Sequence, residues 1–124
     1  MTQKSLYTGV GFIHLIFGLG FVLLPGLVVA IYGVSLAESG TMMARLLGAS
    51  DLAGALLLFG ARTIPASRTT RLISLKGALE WSLIAIILLV YALSGLLNFM
   101  GWASVVLFAA IVYLFSVNVY KHDE

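Results

Sequence analysis

No cysteine occurs among the 124 residues, which excludes a disulfide framework, a thiolate metal site and a cysteine nucleophile. Charge is nearly as scarce. Seven Lys/Arg and five Asp/Glu make up 10% of the chain, against about a quarter in an ordinary soluble domain. Also missing are a Gly-rich phosphate loop, a His-Glu-x-x-His pair and a Gly-x-Ser-x-Gly elbow, and the polar loops are too short to house an active site of their own. An enzyme of the soluble type is therefore excluded. What the chain does have is apolar mass: 61% of its residues, with a mean hydropathy of +1.11. A globule of this size leaves much of its surface in contact with solvent, and twelve charged residues cannot coat that surface. The solvent must be lipid.

Four apolar runs follow one another. Leu6 to Leu24 spans 19 residues and reaches roughly 28 Å at helical rise, about one bilayer core. Pro25-Gly26 breaks the pattern, and Leu27 to Leu36 is too short to cross again, so residues 27–37 are expected as an interfacial segment with Tyr32 at headgroup level. The second run covers 41–61 and ends at Arg62, before a loop from Thr63 to Arg71 that contains Pro65. The third covers 72–97, and Ser94-Gly95 with Asn98 marks a short turn into the fourth, 99–120. The expected fold is all-α: a single transmembrane domain over 1–124, an integral membrane four-helix bundle.

The first run is longer than the apolar core of a signal peptide, although Val28-Val29-Ala30 offers cleavage-like spacing, so it is expected to stay as a span. Lys121-His122-Asp123-Glu124 lacks the terminal leucine of a luminal retention signal and is expected to be a solvated tail. With four spans both termini share one side, and that side collects Lys4, Arg62, Arg68, Arg71 and Lys121. The positive-inside rule then predicts cytoplasmic termini in a bacterial inner membrane, and the bias opposes a dual-topology antiparallel dimer.

Five ionisable groups fall within the runs: His14, Arg45, Asp51, Lys76 and Glu80. Near the bilayer centre each would cost at least ~2.5 kcal/mol, so each needs a partner, an inward-facing position or a route to the headgroups. His14 and Glu80 lie about 12 Å from the cytoplasmic end of their runs and Asp51 about 15 Å, counted at helical rise, which predicts titratable groups from three spans at nearly one level. His14 shares its helix stripe with Tyr7, Val10, Gly11, Phe17, Gly18 and Phe21. Asp51 shares its own with Ala44, Leu47, Gly48, Gly54, Ala55 and Leu58. Lys76 and Glu80, four apart, stack on one face that continues through Gly77 and Ile84. Arg45 is six residues from Asp51 and points elsewhere, toward the outer headgroups.

The candidate cluster is therefore His14, Asp51, Lys76 and Glu80, and two readings of it stand. It is a hydrogen-bonded lock that fixes helix register, or it is a ligand or proton site. The glycines Gly11, Gly18, Gly48, Gly54 and Gly77 read as packing devices that let helices approach closely. Trp81, Trp102, Tyr91, Tyr113 and Tyr120 read as belt or bundle aromatics. No metal site and no cofactor are expected. Haem held by two histidines would need a homodimer sharing two copies of His14, because His122 is in the tail. Nucleic-acid binding has no support, since Arg62, Arg68 and Arg71 are explained by membrane orientation and anionic lipid.

The first run ending in Pro25-Gly26, the interfacial Tyr32-Gly33, the stretch Ala44-Arg45-Leu46-Leu47-Gly48-Ala49-Ser50 opening the second run, and Asn98 before Gly101-Trp102 together resemble the small four-helix bacterial membrane families near DoxX. The layout matches over most of the chain; the specific part is Ala44 to Ser50. The resemblance implies a bacterial inner-membrane protein, in some relatives associated with redox partners, and it carries over no catalytic residue.

Two functions follow. The first is a non-enzymatic membrane protein, an accessory or interaction subunit or a binder of a lipophilic small molecule, with lipid, a second copy or another membrane protein as partner. The second is an oligomeric proton-coupled small transporter that uses Asp51 and Glu80. A quinone- or haem-linked redox protein working through His14 is the weakest third.

Overall fold

A computed structural model describes residues 1–121. Of the expected solvated tail, His122 to Glu124 lie outside the described residues. The fold is all-α. In chain order the helices are α1 (Gln3–Leu23), α2 (Pro25–Ala30), α3 (Glu38–Ala61), α4 (Arg68–Leu93) and α5 (Phe99–Tyr120), with no strand among the described residues. α1, α3, α4 and α5 are long and apolar enough to cross a membrane, which makes this a multi-pass membrane protein.

The chain divides into two compact units, residues 1–62 and 63–124. In the first, α1 and α3 pair as an antiparallel hairpin. Gly11 meets Phe59 near one end and Gly18 meets Leu52 further along. The buried positions Tyr7, Gly11, His14 and Gly18 on α1, and Ala44, Gly48, Ala55 and Leu58 on α3, follow steps of three, four or seven. With Leu6, Val10, Gly54 and Ala61 they make one buried face on each helix. Leu47, expected on the Asp51 stripe, is 47% exposed. The buried face of α3 takes in Ala61 and leaves Leu47 outside it. In the second unit α4 and α5 pair the same way, with Ser74 against Asn118, Gly77 against Phe115 and Trp81 against Phe108.

The helix ends differ from the apolar runs because caps, not hydropathy, set them. α4 begins at Arg68, four residues before Leu72, since Ser67 and Thr70 form a reciprocal capping box. It stops at Leu93 and not at residue 97. Gly95 adopts φ +79°, and the Leu96 and Gly95 amides donate back to the Tyr91 and Ala92 carbonyls, closing the helix in a Schellman turn. α3 starts at Glu38, not 41, because its polar first turn is helical, and α1 starts at Gln3 under the Thr2 cap, whose side chain accepts from the Ser5 amide. α5 matches its run, with the Asn98 side chain accepting from Met100.

Within the interfacial segment, α2 opens with Pro25 in its first turn, where the missing N–H costs nothing. Gly33 ends that turn at φ +79° with the same pair of bonds seen at Gly95, to Ala30 from its own amide and to Val29 from Val34.

Candidate functional site

α1 and α3 each carry one enclosed acid–base side chain of the candidate cluster. His14 is 2% exposed and Asp51 14%, and the imidazole Nδ1 and carboxylate Oδ1 share a hydrogen bond of 3.0 Å. Either an Nδ1–H donates to a carboxylate, or a protonated carboxyl donates to Nδ1. The ring packs closely on α3 at a residue without a side chain. A Cβ on Gly54 would come within 3.2 Å of His14 Nδ1 and 3.3 Å of Cε1. Gly54 is thus the floor on which the imidazole rests.

The neighbouring glycines set how close the helices come. A Cβ on Gly48 would lie 2.8 Å from the Gly18 carbonyl oxygen and 2.8 Å from Phe21 Cβ; one on Gly18 would lie 3.0 Å from the Leu52 amide nitrogen. These are backbone and near-backbone contacts that cannot swing aside. A Cβ on Gly11 would lie 2.9 Å from Phe59 Cε1, a side-chain contact. Phe59 in turn stacks edge-on with Phe12 and lies under the Arg62 guanidinium, 5.6 Å from the ring centroid, which fastens the end of α3. Gly9 and Gly60, in contrast, have nothing within 4 Å of an added Cβ and serve no close approach.

In the second unit Lys76 and Glu80 join across one turn of α4, Nζ donating to Oε2 at 2.5 Å. This pair faces outward: Lys76 is 50% exposed and Glu80 28%. Gly77, next to Lys76, points the other way and receives the Phe115 ring, whose Cε1 and Cζ would stand 2.8 Å from an added Cβ. The four candidate residues thus form two pairs, one enclosed between two helices and one exposed along a single helix. Arg45 is exposed on α3, and the partner of Asp51 is His14.

Sequence reasoning missed the buried polar contact of the second unit. Asn118 Nδ2 donates to Ser74 Oγ at 2.8 Å, and both side chains are enclosed. The available signal was an amide inside the apolar run 99–120, spaced seven residues from Ile111 on the same seam. The aromatics divide as well: Trp81 is buried against Phe108 at a centroid distance of 4.7 Å, whereas Trp102, Tyr91, Tyr113 and Tyr120 are exposed.

No group of three His, Asp or Glu side chains among the described residues is placed to hold a metal ion. A haem shared between two copies of His14 fits poorly, because the ring is enclosed, backed by Gly54 and bonded to Asp51. No family model matches the chain, and no curated protein or solved structure shows significant similarity to it.

Proposed function

We propose that this is a non-enzymatic membrane accessory protein that acts through its lipid-facing helix surfaces, engaging a membrane-protein partner or a lipophilic small molecule. The observation that carries this reading is the closure of the His14–Asp51 pair. Its shared bond lies inside the α1–α3 hairpin, with the imidazole against Gly54 and almost no exposed surface, as a lock of helix register requires. Chemistry on a substrate would need those atoms to be reachable. By contrast, the outer faces carry large apolar side chains such as Leu56, Leu83, Val106 and Phe99. The resemblance to the DoxX-like families, through Ala44 to Ser50, supports a bacterial inner-membrane setting and a role beside other membrane proteins.

One observation favours a second reading. His14 and Asp51 are titratable groups joined by a single hydrogen bond within a span, and a proton-coupled carrier would use Asp51, with Glu80, as relay groups. Proteoliposomes holding an internal pH dye decide between the two. The accessory reading expects the parent protein to dissipate an imposed pH gradient no faster than protein-free vesicles. Faster dissipation that Asp51→Asn abolishes, with the fold intact, would establish the carrier instead.

A further inference from the structure

The first turn of α4 borders a small charged cleft that neither the helix packing nor the His14–Asp51 pair uses. It measures about 260 Å³ and is lined by Ala66, Ser67, Arg68 and Arg71, all within the second unit. Arg68 and Arg71 are three residues apart, the spacing that makes two side chains neighbours on one helix face, and both are exposed. Like charges so placed repel each other, and an anion between them relieves the repulsion. The capping groups are engaged with one another: the Ser67 amide donates to Thr70 Oγ1 and the Thr70 amide to Ser67 Oγ. The positive charge at the cleft is therefore that of two arginine side chains. On α4 itself the nearest acidic group is Glu80, more than two turns beyond Arg71 and joined to Lys76.

We propose that this cleft binds a phosphate group, that of an anionic phospholipid at the membrane boundary. The planar guanidinium fork matches phosphate oxygens with two parallel N–H···O bonds, and two forks on one face supply both the charge and the geometry that a phosphodiester needs. A zwitterionic headgroup carries its own cation beside the phosphate, which the two arginines repel. The lipid is favoured as the source of the phosphate by what lies next along the helix. One turn beyond each arginine is an exposed leucine, Leu72 after Arg68 and Leu75 after Arg71, with exposed Leu79 further on, in a helix long and apolar enough to cross a membrane. A phospholipid with its phosphate in the cleft lays its chains on those leucines, whereas a free phosphate ion gains nothing from them. The site stands apart from the accessory reading, since it needs only that α4 enters the membrane at this end.

The test presents the full chain, in mild detergent, with equal amounts of phosphatidylglycerol and phosphatidylcholine, and counts the lipid retained by mass spectrometry of the intact complex. The parent protein should keep phosphatidylglycerol several-fold over phosphatidylcholine. Arg68→Gln together with Arg71→Gln should abolish that preference while the melting temperature stays at the parent value, because both side chains are exposed. Arg62→Gln, which removes a basic residue outside the cleft, should leave the preference intact. Arg68→Lys together with Arg71→Lys keeps the charge but removes the forks, and should retain only part of it. Equal retention of the two lipids by the parent, a preference that survives the double glutamine variant, or an equal loss with Arg62→Gln would overturn the site. Millimolar inorganic phosphate should leave the lipid bound; its release, in the parent alone, would overturn the lipid as the source and give the cleft to a soluble phosphate. None of these outcomes bears on the accessory reading, which is decided by dissipation of the pH gradient.

Discussion

At the scale of single residues, the first unit is organised around atoms that are missing. Gly54 lacks the side chain that would crowd His14, and Gly48 lacks the one that would strike the Gly18 carbonyl. Gly48→Ala should therefore destabilise the protein by ~1–3 kcal/mol, the range for overpacking a filled core, because its neighbours are backbone and near-backbone atoms. Gly60→Ala, where nothing lies within reach, should leave the melting temperature in detergent unchanged. Equal melting temperatures for the Gly48 and Gly60 variants would show that α1 and α3 are not in close contact. Asp51 gives a second comparison. Asp51→Asn keeps a hydrogen-bonding group beside His14 and should be tolerated, whereas Asp51→Leu leaves the enclosed imidazole without this partner and should cost ~1–3 kcal/mol. A leucine variant as stable as the asparagine one would remove the lock from the account.

At the scale of elements, the helices were visible in the sequence, whereas their ends and one buried contact were not. Lipid requires every backbone polar group to be satisfied within the segment, so a long apolar run can hardly be anything but helix. This made 99–120 legible to the residue. Hydropathy, however, does not register a capping box, and so it reads the polar turn from Arg68 to Arg71 as loop although Ser67 and Thr70 hold it in α4. Hydropathy extends the span to Leu96 and Leu97 for the converse reason. They are apolar, but the chain has already turned at Gly95. The candidate site was legible where periodicity governs it: His14, Gly11 and Gly18 share one buried seam. The contact between Asn118 and Ser74 is not, because pairing across helices is decided by register, which neither helix's own sequence carries. Gly95 offers the test at this scale. Gly95→Ala forces an L-residue into the left-handed region at a cost of about 1 kcal/mol, so the melting temperature should fall although no side chain is near. An unchanged melting temperature would mean that α4 does not end in this turn.

At the scale of the molecule, the chain is two helical hairpins, each made of two apolar helices long enough to cross a bilayer. Two crossings per hairpin return the chain to its starting side twice. Chain order alone puts Lys4, Arg62, Arg68, Arg71 and Lys121 on one side of a four-span protein, the asymmetry from which the positive-inside rule predicts a cytoplasmic face. The measurement that tests this most directly is topology by reporter fusion, after Lys121 and within residues 63–67, against fusions in the turns at 34–37 and 94–97. The account predicts that the first two report from the cytoplasm and the last two from the opposite side. A fusion at 94–97 reporting from the same side as one at 63–67 would contradict it, because α4 would then not cross the membrane.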